Sequence, residues 1–183
     1  MPDPPRLALR LGSPHDVRAL VRMHGHCSQL SLTRRYLAPM PVLGGRLAGR
    51  LLCPPGGFSI VADRGGRLAG IATVAPYVDA DAWALTPEGP GPPRGDIGQL
   101  VADHDQRQGV GTALLLASAR EAGRHGFEEL AMTVLPDNPA VLGLVHAAGL
   151  RARVGMRDGL TQITVTLDGA RAADRRRSAA ASR

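Results

Sequence analysis

The chain has 183 residues, of which 44% are hydrophobic and 21% charged, the composition of a folded domain with its own core rather than of a disordered segment. No apolar run approaches the roughly 20 residues that a bilayer-spanning helix needs. The net charge is +6 and every basic side chain is Arg, but Arg175, Arg176 and Arg177 lie in the C-terminal tail and the rest are scattered, so nucleic acid is not an expected partner.

Aromatic residues make up only 3%, so Leu, Val and Ala must fill the core. The start, Met1-Pro2-Asp3-Pro4-Pro5, lacks the basic-then-apolar pattern of a secretory signal, and the expected location is the cytoplasm. Cys27 and Cys53 are the only cysteines and make no disulfide framework. His24, His26 and Cys27 are close in sequence, but the two histidines stand two apart on an expected helix and point to different faces. No second ligand pair accompanies them, and no metal is expected.

In chain order, Leu7 to Leu11 alternates apolar and polar residues as a strand does. Ser13-Pro14 then opens a helix, with Ser13 as N-cap, Pro14 in the first turn and Asp16 favouring the helix dipole. Val17, Leu20, Val21 and His24 follow at helical spacing, and Gly25 and Ser28 end that helix. A second helix is expected over 32–37 and a third over 42–52, stopped by Cys53-Pro54-Pro55-Gly56-Gly57. Residues 58–62 and 68–74 form a hairpin turned by Asp63-Arg64-Gly65-Gly66. Residues 76–95 make a Pro- and Gly-rich loop of a length that is usually either functional or disordered. A strand over 96–101, a helix over 112–124, a strand over 130–135 and a helix over 140–148 follow. Residues 150–154 and 160–167 close the domain as a hairpin turned by Arg157-Asp158-Gly159. From Gly169 onward Ala, Arg and Ser dominate, as in a disordered basic tail.

The most informative stretch joins the 96–101 strand to the 112–124 helix: Gln106-x-x-Gly109-x-Gly111. A strand that ends in a glycine turn and opens a helix is a place to hold phosphate. The first helical amides lack intrahelical partners, the dipole favours an anion, and glycine lets the backbone come close. The turn lacks the Gly-Lys-Ser/Thr of a P-loop, and it lacks the third glycine of a dinucleotide fingerprint. A pyrophosphate held chiefly by backbone amides is the remaining ligand.

Gln106, Gly109 and Gly111, the element order over 6–168 and Asn138 after the next strand resemble the GNAT superfamily of acyl-CoA-dependent N-acetyltransferases. Ser28-x-x-Ser31-x-x-Arg34-Arg35-Tyr36 and Gly65-Gly66-Arg67-Leu68-Ala69-Gly70 are similar to the bacterial subgroup that includes protein-lysine acetyltransferase domains. The resemblance implies an α/β fold: a mixed, mostly antiparallel sheet of six or seven strands, splayed at the cofactor site and flanked by helices. It implies a GNAT domain over 6–168, followed by the tail at 169–183.

It also implies acetyl-CoA as cosubstrate, an amine acceptor and a homodimer, with no membrane partner. Leu100 and Val101 would hold the pantetheine. Gln106, Arg107, Gln108, Gly109, Val110, Gly111 and Thr112 would take the pyrophosphate, with Asn138 nearby. The family's base position falls on Asp96, and its usual Tyr acid position falls on Val145, which has no proton to give. His104 lies nearer the cofactor turn, and His146 is adjacent to Val145 in sequence but would point about 100° round the helix. Tyr36, Tyr77 and Trp83 are candidates for the acceptor pocket, and Asp79, Asp81 and Glu88 make the 76–95 loop attractive to a cation. Val145 and the shorter Asp96 leave two readings: an active transferase, or a non-catalytic acyl-CoA sensor.

Overall fold

The computed structural model describes residues 6–40, 42–77 and 93–167. The expected tail and most of the 76–95 loop, including Trp83, lie outside the described residues.

Seven strands form one sheet in the order β1-β2-β3-β4-β5-β7-β6. They are β1 (Leu7–Leu11), β2 (Phe58–Arg64), β3 (Arg67–Pro76), β4 (Arg94–Val101), β5 (Glu129–Val134), β6 (Ala152–Arg157) and β7 (Leu160–Thr166). Every neighbouring pair is antiparallel except β4 with β5. This is the mixed, mostly antiparallel sheet that the sequence implied, with seven strands.

Alternation along the central strands divides the core in two. Ile60, Ala62, Ala72 and Val74 face α4 (Val110–Arg124) and α5 (Ala140–Ala147). Val61, Ile71 and Leu100 face α1 (Val17–Gly25), α2 (Gln29–Tyr36) and α3 (Gly45–Leu52). In α4, Val110, Leu114, Leu115, Ser118, Ala119 and Ala122 form one buried stripe at helical spacing.

Local chemistry moves several expected boundaries. α2 begins at Gln29, before Leu32, because the Ser28 hydroxyl accepts from the Ser31 amide at 3.3 Å and caps it. It ends at Tyr36, with Leu37 in the left-handed region. α3 starts at Gly45 and leaves Val42 outside and exposed. β2 continues through Arg64, so the hairpin turn shrinks to Gly65-Gly66, both at positive φ as a tight two-residue turn requires. β4 starts two residues early, at Arg94, and α4 starts at Val110 rather than Thr112. The last hairpin is shifted: β6 begins at Ala152, and Asp158-Gly159 turn the chain at positive φ.

Two buried carboxylates fasten the frame. Glu129 takes Arg94 at 2.9 Å and Arg153 at 2.6 Å, joining β4, β5 and β6. Asp16 receives Arg10 at 2.6 Å and the Ser13 amide at 2.9 Å, tying β1 to the short 3-10 turn (Pro14–Asp16) before α1.

Candidate functional site

The parallel pair β4/β5 is the place where the sheet opens. Its register holds only for Arg94↔Glu129, Gly95↔Leu130 and Asp96↔Ala131. Beyond Asp96, β4 stays paired with β3 through Val101, while β5 follows β7. The β4 edge from Ile97 to Val101 therefore faces a gap, with its outward backbone groups open to a ligand. A cavity of about 430 Å³ fills this gap. Its walls come from α2, β4, the turn before α4, β5 and α5.

The far end of the gap is the turn before α4. Gly109, the N-cap of α4, has φ of 78°, and Arg107 is also left-handed at 58°. The first bond of the helix runs from the Ala113 N–H to the Gly109 carbonyl at 2.9 Å. The N–H groups of Val110, Gly111 and Thr112 thus stand ahead of the ladder with no helical partner. The two motif glycines serve different ends. A Cβ on Gly109 would meet nothing within 4 Å, so glycine is there for conformation. A Cβ on Gly111 would lie 2.7 Å from Leu144 Cδ1, so glycine there lets α4 and α5 approach.

Ion pairs and hydrogen bonds hold the turn from outside. Asp105, only 1% exposed, accepts Arg67 at 2.6 Å and Arg64 at 2.9 Å. Burial pushes its pKa up, but Arg67, His104 and Arg64 outweigh this and hold the carboxyl below its ordinary range. Gln106 turns inward: its Nε2 donates to the Val101 carbonyl at 3.1 Å, to Ser31 Oγ at 3.0 Å and to Asp103 Oδ1 at 3.1 Å. Asp103 also accepts the Ser28 amide at 2.8 Å and the Ser31 hydroxyl at 2.7 Å. The start of α2 is therefore bound to the turn that opens α4.

Of the residues expected at the cofactor, Leu100, Val101, Gln106, Arg107, Gly109, Gly111, Thr112 and Asn138 line the cavity. Val110 and Gln108 do not. Val110 is buried in the core beneath the turn. Gln108 accepts Arg64 at 2.6 Å and donates to the His104 carbonyl at 2.8 Å. His104 is an exposed neighbour of Arg67 and Asp105, outside the cavity.

Asp96 occupies the last position at which β4 pairs with β5, where the gap begins, one residue before the cavity-lining Ile97. It reaches solvent, yet the surrounding protein desolvates the carboxyl enough to raise its pKa, with the positive charge of Arg35 pulling the other way. Tyr36 and Tyr77 do not line the cavity. Tyr36 packs against the His24 ring at 5.6 Å, and Tyr77 lies under the Arg94 guanidinium at 5.2 Å. Val145 is 4% exposed and sits in the core beside the cavity-lining Leu144.

Arg34 and Arg35, which fall within the Ser28–Tyr36 motif, carry no expected role in the sequence. Both line the cavity from α2. The Arg35 guanidinium lies over Gly98, where any Cβ would overlap its Nη1 and Cζ. Arg34 Nη2 reaches toward the Asp137 carbonyl at 3.5 Å, across to the segment before α5. The only sequence hint is a glycine within a strand, Gly98, which marks a close approach without naming its partner. His24 is buried and His26 exposed, with His26 Nδ1 2.7 Å from the Arg22 carbonyl. No group of three or more His, Cys, Asp or Glu suited to a metal occurs among the described residues. No helix among them is long and apolar enough to cross a membrane.

The fold is thus a mixed sheet splayed between two parallel strands, with a free-amide helix start at the end of the opening. A sequence model of the acetyltransferase (GNAT) family matches residues 31–150, and the chain belongs to that family. Among solved structures, the GNAT domain of S. lividans PAT superposes with a TM-score of 0.72 at 24% identity, covering 85% of this chain and 88% of that one. The protein yncA from Salmonella typhimurium, solved with its cofactor acetyl-CoA, gives 0.66 at 20% identity, covering 89% and 95%. A phosphinothricin acetyltransferase from Sinorhizobium meliloti in complex with acetyl-CoA gives 0.63 at 17% identity, covering 87% and 86%. At these identities the likeness concerns the fold. No curated protein matches the chain by sequence.

Proposed function

We propose that the chain transfers an acetyl group from acetyl-CoA to a primary amine by direct attack in a ternary complex. One observation carries this reading: the free-amide start of α4 and the unpaired edge of β4 open into a single cavity whose inner end lies beside Asp96. The amides of Gly111 and Thr112 and the Arg107 side chain take the pyrophosphate. Leu100 and Val101 line the pantetheine arm. Gln106 acts indirectly, holding the Val101 carbonyl and α2 in place. Acetyl-CoA supplies an activated acyl thioester.

The amine arrives as an ammonium, with an ordinary pKa near 10.4, and must lose a proton before it can attack. Asp96, poised above the usual carboxylate range, takes that proton directly or through one water. No tyrosine lines the cavity among the described residues. A thiol with a pKa of about 8.5 departs readily as a thiolate near neutrality, so the valine at 145 does not forbid turnover.

The second reading, a non-catalytic acyl-CoA sensor, is favoured by buried Val145, which leaves no proton donor at the expected acid position. Release of free CoA thiol over a panel of amines decides between them. Acceptor-dependent release supports the transferase. Acetyl-CoA binding without release for any amine supports the sensor.

A further inference from the structure

The buried acids of this fold are matched by bases. Asp105 has Arg64 and Arg67, Glu129 has Arg94 and Arg153, and Asp16 has Arg10. Arg34 and Arg35 break the pattern. Both enter the cavity, and among the described residues neither forms an ion pair. The Arg34 Nε is buried with no hydrogen-bond partner. Arg35 rests its guanidinium on Gly98 and on the Tyr36 ring at 5.2 Å, surfaces that offer it no anionic oxygen. Burial lowers its pKa, opposed by the charges of Tyr36 and Asp96, but an arginine keeps its proton in a protein. No carboxylate lines the cavity among the described residues.

Position separates this charge from the pyrophosphate cradle. Gly98 lies near the inner end of the gap, while Arg107, Gly109 and Thr112 lie beyond the end of β4. Gly98 and Asp96 share one face of β4, two residues and about 7 Å apart along the strand. The Arg35 cation and the Asp96 carboxylate thus lie on one face of β4, within reach of each other's charge but without an ion pair. The pair presents the complement of a zwitterion.

We propose that the acceptor is an amino acid or a close analogue: a primary amine with a free carboxylate near it, the carboxylate bound by Arg35 and the ammonium directed to Asp96. A guanidinium matches a carboxylate with two parallel hydrogen bonds, and Arg34 adds a second positive charge to the same wall. A peptide lysine has no carboxylate close to its amine and leaves Arg35 unmatched. This inference rests on the transferase reading and narrows its acceptor.

The test uses the full chain, the twenty amino acids, their carboxamides and a lysine-containing peptide. CoA release is measured alongside calorimetric binding of each acceptor to the CoA-bound protein. At least one free amino acid is expected to exceed its carboxamide on the order of 100-fold in kcat/KM and in affinity. Arg35→Gln should erase that preference while leaving acetyl-CoA affinity within about threefold, and Arg35→Lys should restore part of it. Gly98→Ala gives an independent check, because the new Cβ displaces the guanidinium without removing its charge, and it should cost the same preference.

Carboxamides or peptide lysine acetylated as well as free amino acids would overturn the inference and leave the transferase reading standing. Arg35-dependent binding of an amino acid without any CoA release would support the carboxylate site and overturn the transferase reading. Absence of amino-acid binding, or a preference that survives in both variants, would overturn the inference.

Discussion

Gly109 offers the cleanest perturbation of the cradle, because conformation and charge can be varied separately there. Its φ of 78° is left-handed, and a Cβ at this position meets nothing within 4 Å. A Cβ therefore fits in space, and the shared cost of leaving glycine is the left-handed backbone, about 1–2 kcal/mol. Gly109→Ala, Gly109→Gln and Gly109→Glu should lose similar stability, a Tm drop of about 2–8 °C for a domain of this size. Cofactor affinity should then divide them. A carboxylate added beside a pyrophosphate costs about 2–4 kcal/mol for like charges some 4–8 Å apart at an effective dielectric of about 20. Acetyl-CoA should bind Gly109→Glu about 30- to 1,000-fold more weakly than Gly109→Gln, and the gap should narrow at high salt. Isothermal calorimetry at two ionic strengths reads this directly. If Gln and Glu variants bind within threefold of each other, the pyrophosphate does not lie at the start of α4.

Other expectations follow from the same geometry. Because burial raises the Asp96 pKa, the rise of kcat/KM with pH should lie above the ordinary carboxylate range, and Asp96→Asn should remove that limb while sparing acetyl-CoA affinity; a pH profile of CoA release checks both. The hydrogen bond from Arg10 is the largest influence lowering Asp16 from 3.8 to about 2, with the Ser13 bonds assisting against burial. A depressed carboxylate stabilises the fold fully above its unfolded pKa and loses that contribution as pH falls through the folded one. Asp16→Asn should thus cost about 2 kcal/mol near neutrality by urea titration, and the difference should fade between pH 4 and pH 2. Burial, aided by Asp103, raises the Cys27 thiol to about 11, while Cys53 is exposed. Iodoacetamide at pH 8 should modify Cys53 and leave Cys27, as peptide mass mapping would show.

Much of the fold was legible because periodicity and turn chemistry agreed. Leu7–Leu11, the Gly65-Gly66 hairpin and the run from β4 into α4 each carried a pattern with a single physical reading. Boundaries moved where a side chain supplied a cap that spacing does not reveal, as Ser28 does for α2. The cradle was legible because its glycines are local to one turn. The acceptor wall was not, because it is made by distant residues meeting: Arg35 from α2 fits only because Gly98, far along the chain, has no side chain. Tyr36 and Tyr77 look like pocket aromatics by composition, yet each is engaged by a neighbouring ring or guanidinium away from the cavity. A glycine in a buried strand signals a close approach, but nothing in one sequence says what approaches.

The Gln106–Ser31–Asp103 cluster gives the two halves of the site a shared support. Gln106 belongs to the pyrophosphate turn, Ser31 to the first turn of α2, and Arg35 follows Ser31 by one helical turn on that helix. Burial pushes Asp103 up, but bonds from Ser31 and Ser28 hold it ionised below its usual range, so the cluster keeps its charge at neutral pH. If the cluster positions α2, Gln106→Ala should impair acceptor KM as well as acetyl-CoA affinity, because α2 loses its tie to the turn. Gln106→Glu should be worse, since it sets a second carboxylate beside Asp103 Oδ1, now 3.1 Å from the Gln106 amide nitrogen. Initial-rate kinetics with both substrates varied would separate the effects. A Gln106→Ala enzyme with weakened acetyl-CoA binding but unchanged acceptor KM would show that the turn and α2 act independently.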